Sequence, residues 1–184
     1  MRVSVEDDYR VAQLAVDTAQ KNYDNANATN DQTIKNGFES LKTTLQGALG
    51  SLQVSLTDGD AIIGVDNTSA NDRYEYVLGF SDSVSFERAK IRYTDARTSY
   101  RSAYDQIQAL GTTPTETAVR SSALKTREAL EKTQLFLDDV QRVLAASITN
   151  SNLTTTDLAS KQSQINSDRT NISSQLATVN TSIQ

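Results

Sequence analysis

The sequence predicts an all-α protein, a long antiparallel coiled-coil hairpin stem with a three- or four-helix bundle at the tip. Three observations predict it. The 184 residues include one proline and seven glycines, so little interrupts helices. Apolar and small residues recur in alternating steps of three and four along most of the chain. The opening and closing segments carry seams of equal length, residues 5–30 and 158–183.

In the first helix, Val5, Tyr9, Ala12, Val16, Ala19, Tyr23, Ala26 and Asn30 follow heptad spacing. Such a narrow seam suits one partner helix. Beyond residue 33 the apolar face widens through Ile34, Phe38, Leu41, Leu45, Ala48, Leu49, Leu52 and Leu56, as a bundle requires. Together these predict one helix of about 50 residues, near 75 Å long.

Residues 57–83 are the least regular. Asp58, Gly59, Asp60, Gly64, Asp66, Asn67 and Asn71 supply turn chemistry. Tyr74, Val77 and Leu78 form the apolar face of a short helix, which is expected to pack on the bundle because long unstructured connections are uncommon. A second long helix spans 84–110 on Phe86, Ala89, Tyr93, Ala96, Tyr100, Ala103 and Ile107. Gly111 is a natural C-cap, and Pro114 suits the first turn of the next helix. That helix runs to about Thr149. The polar run Thr149–Thr156 then reads as a break, with Thr154 or Thr156 as the following N-cap. In the last helix Leu158, Ile165, Ile172 and Val179 recur every seven residues, with Gln162, Arg169, Leu176 and Ile183 between them.

Antiparallel pairing of the end seams, with residue numbers totalling 188, sets Val5 against Ile183, Tyr9 against Val179, Ala12 against Leu176 and Val16 against Ile172. It continues with Ala19 against Arg169 and Tyr23 against Ile165. Any two seams of equal phase align this way. Carried upward, the register puts Leu144 beside Leu45 and Val140 beside Ala48. The chain is then a single helical domain over 1–184, with stem 5–30 and 158–183 and a tip bundle over about 31–157. The alternative is a compact up-down-up-down four-helix bundle.

Composition narrows the chemistry. There is no His or Cys, hence no thiolate nucleophile, no Ser–His pair and no His/Cys metal or haem site. A net charge of −5 argues against a nucleic-acid footprint. No run of 18 apolar residues spans a membrane. Zero cysteine fits an exported protein. Asp58, Asp60 and Asp66 do not fit the calcium-loop spacing, so a solvated turn is expected there rather than a metal. Arg88, Lys90, Arg92, Arg97 and Arg101 interleave with Glu87, Asp95 and Asp105, which reads as a salt-laced face. Glu128, Glu131, Asp138 and Asp139 lack a pocket or second partner, so no enzyme and no cofactor is expected.

Val11–Ala26 and Leu158–Ile183 resemble the two arms of the helical hairpin in periplasmic adaptor subunits, the membrane fusion proteins of the haemolysin-secretion type. Leu124–Val140 resembles the enlarged hairpins of adaptor-like proteins. The resemblance covers about 60 residues. It implies a hairpin inserted in a lipoyl-like domain of an extracytoplasmic protein, coupling an inner-membrane transporter to other adaptor subunits or an outer channel. Neither lipoyl half, nor a barrel, nor the Arg-Leu-Ser tip pattern is found, so the chain looks like an excised hairpin.

A non-catalytic spacer and docking module of an export adaptor is therefore the leading expectation. Ile62, Ile63, Val65, Tyr76 and Phe80 are its candidate tip contacts, with capping of the bundle core as their plainer role. An extracytoplasmic sensor bundle of a chemoreceptor or kinase, binding a small ligand between helices, is the alternative. A filament or secretion-apparatus coiled coil is the third.

Overall fold

A computed structural model describes residues 2–111 and 114–183. The described residues form four α-helices: α1 (Arg2–Ile63), α2 (Ser83–Gln108), α3 (Glu116–Ala145) and α4 (Thr155–Ile183). A 3-10 turn, Glu75–Val77, lies between α1 and α2. The protein divides into two compact units, Met1–Ser40 and Leu41–Gln184.

The second unit is an up-down-up-down four-helix bundle, and polar cross-links fix its register. Tyr100 on α2 donates to Gln53 on α1 at 3.4 Å, and Lys42 donates to the carbonyls of Leu110 and Gly111 at 3.3 Å. Ser121 on α3 donates to Gln106 on α2. Gln134 on α3 donates to Ser173 on α4, and Arg169 on α4 donates to Asp138 on α3; numbers total 307 in both pairs. Gln164 on α4 closes the ring by donating to Asp58 on α1. Each helix therefore runs against its two neighbours, and α1 runs parallel to α3.

The core repeats this layering. Leu45, Leu52 and Leu56 of α1, Ala89, Ala96 and Ala103 of α2, Leu130, Phe136, Leu137 and Leu144 of α3, and Ile165, Ile172 and Val179 of α4 are all buried. Burying one such aliphatic side chain contributes about 1.5–3 kcal/mol. The small residues of α2 let its neighbours approach. Gly59 does the same for α1: a Cβ there would lie 2.4 Å from the Phe136 ring.

Local sequence sets the helix ends. Asp82 caps α2 by accepting from the Ser85 N–H, and Thr115 caps α3 by accepting from that of Ala118. Thr154 Oγ1 accepts from the Asp157 N–H while Asp157 accepts from the Thr154 N–H, a reciprocal cap. Gly111 is not the cap of α2, which ends at Ala109 in a right-handed conformation. The positive-φ glycines are Gly64 and Gly79 instead.

The expected stem is corrected. Ile165, Ile172 and Val179 are fully buried, and Leu176 and Ile183 pack partly buried against the same core. Their cover is the second unit, where α4 lies along α3 and the later part of α1. Arg169, expected opposite Ala19, binds Asp138. Leu144 and Val140 belong to a helix parallel to α1, not antiparallel to it. A heptad pattern is unchanged by a slip of whole heptads. The Asp58–Gln164 pair totals 222, which differs from 188 by 34, within one residue of five heptads. The face after residue 40 is wider and more densely apolar, through Leu41, Leu45, Ala48, Leu49, Leu52 and Leu56, than the narrow seam of residues 5–30, so α4 buries more apolar area there.

The first unit is helical throughout its described residues. Along it Val5, Tyr9, Val16 and Tyr23 are 67, 72, 63 and 63 % exposed, and Ala12 is exposed. The heptad expected there stands in the sequence and its apolar side chains are uncovered.

Candidate functional site

The expected tip contacts fall at one end of the bundle, where α1 and α3 end and α2 and α4 begin. Asp60 builds this end. Its Oδ1 accepts from the N–H groups of Val65 and Asp66 at 2.8 and 2.9 Å, and its Oδ2 accepts from Asn67 N–H at 2.9 Å. Gly64 takes φ +66 and donates to the Asp60 carbonyl at 2.7 Å, closing α1 as a left-handed C-cap. A Cβ at Gly64 would lie 2.5 Å from the side chain of Asn71. Asn71 is buried there because its amide donates to the Ile62 carbonyl. Tyr74 donates likewise to the Ala61 carbonyl. The freed carbonyls of the last turn of α1 are thus taken up by side chains of the following loop.

Residues 77–81 then run beside 146–148. Ile148 N–H donates to the Val77 carbonyl, Ser81 N–H to the Ala146 carbonyl, and Gly79 N–H to Ser147 Oγ. Asn150 donates to the Tyr76 hydroxyl at 2.6 Å. Tyr74, Val77 and Leu78 face inward and are buried, as the short apolar face predicts. Tyr76 and Phe80 point out, 64 and 66 % exposed. Val84 and Ile148 are exposed apolar side chains as well, and neither was among the expected contacts. The helix expected to run to about Thr149 ends at Ala145, which leaves Ile148 outside it.

Three of the five expected contacts take the plainer role, capping of the bundle core. Ile62 and Ile63 are 3 and 0 % exposed core residues, and Val65 packs against that core. Two consecutive isoleucines at a helix end read equally as surface or core; the C-cap that turns the chain after Ile63 decides it.

The remaining polar candidates are tied to structural partners. Asp66 accepts from Tyr93 Oη at 2.7 Å and pairs with Arg97 at 3.2 Å. Burial, with Asp66 and Asp60 close by, pushes the Tyr93 phenol well above its usual range. Lys90 pairs with Glu75 and Glu87, as a salt-laced face requires. Glu128 lies between Lys125 and Lys132, whose hydrogen bonds hold its carboxyl below the usual range. Asp139 is the exception: it is buried, and Arg88, Arg92 and Arg142 converge on it at 2.8–3.1 Å. Arg88 and Arg92, one turn apart, signal a shared anion, but nothing in the sequence selects Asp139 over Asp138.

Beside the cap, Arg73, Asn152, Ser160 and Lys161 border an open polar cleft. Lys161 sits over the Tyr74 ring, 4.8 Å from its centroid. No group of three or more acidic, His or Cys side chains is gathered for a metal among the described residues. No described helix is long and apolar enough to cross a membrane. The arrangement offers helical faces and an apolar cap for contact, while Asp66, Asp138 and Asp139 carry ion pairs that join one element to another.

Compared with family models, curated proteins and solved structures, the chain matches none.

Proposed function

We propose that this chain is a non-catalytic spacer and docking module of an extracytoplasmic export or efflux adaptor. The observation that carries the reading is the exposed heptad of residues 5–30. Val5, Tyr9, Val16 and Tyr23 lie on one face of α1, each more than 60 % exposed. An apolar seam at this spacing is completed by another helix. In the adaptor reading that seam is one docking surface. Tyr76, Phe80, Val84 and Ile148 give the bundle a second surface for an inner-membrane transporter, a further adaptor subunit or an outer channel.

The protein has no cysteine, so Phe80→Cys introduces a unique attachment point for a cross-linker. Applied to intact cells, the reading expects accessibility from outside the cytoplasm and an adduct with a transporter component. A protein confined to the cytosol overturns it.

A second reading is favoured by the up-down-up-down topology and the cleft bordered by Arg73 and Lys161. It is a sensor bundle binding a small anion. It expects small dicarboxylates to raise the thermal midpoint, and Arg73→Ala to abolish the rise. No shift with any such anion removes it.

A further inference from the structure

The seam on residues 5–30 has two sets of positions that differ in size. One set is Tyr9, Val16, Tyr23 and Asn30, and the other is Val5, Ala12, Ala19 and Ala26. In a parallel, in-register pair each set meets itself, so tyrosine–tyrosine layers alternate with alanine–alanine layers. Two straight helices cannot close-pack both widths. In an antiparallel pair the sets meet each other. With residue numbers totalling 35, Tyr9 meets Ala26, Ala12 meets Tyr23, Val16 meets Ala19 and Val5 meets Asn30. Every layer then joins a larger side chain to a smaller one.

The flanking positions agree in charge. In this register Gln13 faces Gln20, Ala15 faces Asn22, Glu6 faces Asn27 and Asp8 faces Thr29. No like charges meet, and Gln13 and Gln20 bring amide groups that can bond across the seam.

We infer that residues 5–30 bind the same segment of a second copy of this chain, antiparallel, with the two-fold axis between the Val16–Ala19 layers. This rests on the docking reading of the same seam and names its partner. The interface is about 39 Å long and about 10 Å wide, at the low end for specific association. The dimer is therefore reversible, with a dissociation constant on the order of micromolar.

Sedimentation equilibrium over roughly 1–200 µM tests it. The expected result is a twofold rise in mass, and return to monomer in Tyr9→Asp and Tyr23→Asp with the bundle's cooperative unfolding unchanged. Orientation is read by disulfide formation. Mixing the Val16→Cys and Ala19→Cys proteins is expected to give the mixed 16–19 disulfide in preference to either self-linked product. Preferred 16–16 linkage overturns the antiparallel pairing, and a monomer at every concentration overturns the second copy as partner. A monomer leaves the adaptor reading to be decided by the Phe80→Cys cross-link.

Discussion

Gln164 on α4 donates to Asp58 on α1 across 2.9 Å, and this contact brings a second carboxylate against Asp168. Asp168 is 4 % exposed, and its Oδ2 has no hydrogen-bond partner. Burial first, and then the Asp58 charge, push its carboxyl up to about 6, against smaller opposing effects of Gln164 and Ser55. The helix seam so fixed contains a group whose ionisation opposes folding.

The pH dependence follows from that sign. The folded value of about 6 lies above the unfolded value, so protonation favours the folded bundle. This contribution is full below about pH 4 and is lost as pH rises through about 6, up to about 3 kcal/mol at about 1.4 kcal/mol per pH unit. Asp168→Asn is expected to raise the urea midpoint at pH 8 and leave it nearly unchanged at pH 4. Equal effects at both pH values would contradict the assignment.

Asp139 is expected to matter more than any arginine that binds it. Asp139→Ala leaves Arg88 and Arg92 facing each other without their shared carboxylate and should cost about 3 kcal/mol. Arg142 is well exposed, and Arg142→Ala should cost less than about 1 kcal/mol. Chemical denaturation of the two variants checks the order.

Gly59→Ala should run against helix propensity. In an open helix the change stabilises by about 1 kcal/mol. Here the new methyl meets the Phe136 ring, which is fully buried and has no free space to enter. A loss of about 1–3 kcal/mol is expected. Adding Phe136→Leu should recover part of it, as a thermal-melt double-mutant cycle would show.

Gly64→Ala should also destabilise, by about 1–2 kcal/mol, because the residue needs φ +66 and abuts Asn71. Gly111→Ala should be nearly neutral, since nothing lies within 4 Å of a Cβ there. Comparing their melting temperatures separates the true cap from the expected one.

Helix identity was legible from periodicity because most apolar positions of α2, α3 and α4 are the residues now buried, although Leu124 is exposed and Ile148 lies beyond the end of α3. Tyr74, Val77 and Leu78 were likewise legible as an inward face. The reciprocal cap at Thr154 was signalled by a threonine run before an apolar heptad. Register was not legible. Ile165, Ile172 and Val179 repeat every seven residues, so they fit Tyr23, Val16 and Tyr9 as well as the positions five heptads further along α1. What broke the tie was the wider apolar face beyond residue 40, together with singular polar contacts such as Asp58–Gln164 and Asp138–Arg169. At the cap, Tyr76 and Phe80 were found among the aromatics of an irregular stretch. For Ile62 and Ile63 the sequence left contact and core capping both open, because their burial depends on Asn71 and Asp60 folding the loop back onto α1.

The central claim is that the α4 seam belongs to the bundle and not to residues 5–30. Hydrogen exchange resolved along the chain tests it in two variants, Val16→Asp and Ile172→Asp. The account predicts that Val16→Asp leaves protection across 158–183 unchanged. Ile172→Asp, placing a carboxylate at a fully buried site, strips protection from α4 and α3 together. Loss of protection across 158–183 on Val16→Asp, with α3 still protected in Ile172→Asp, would contradict it.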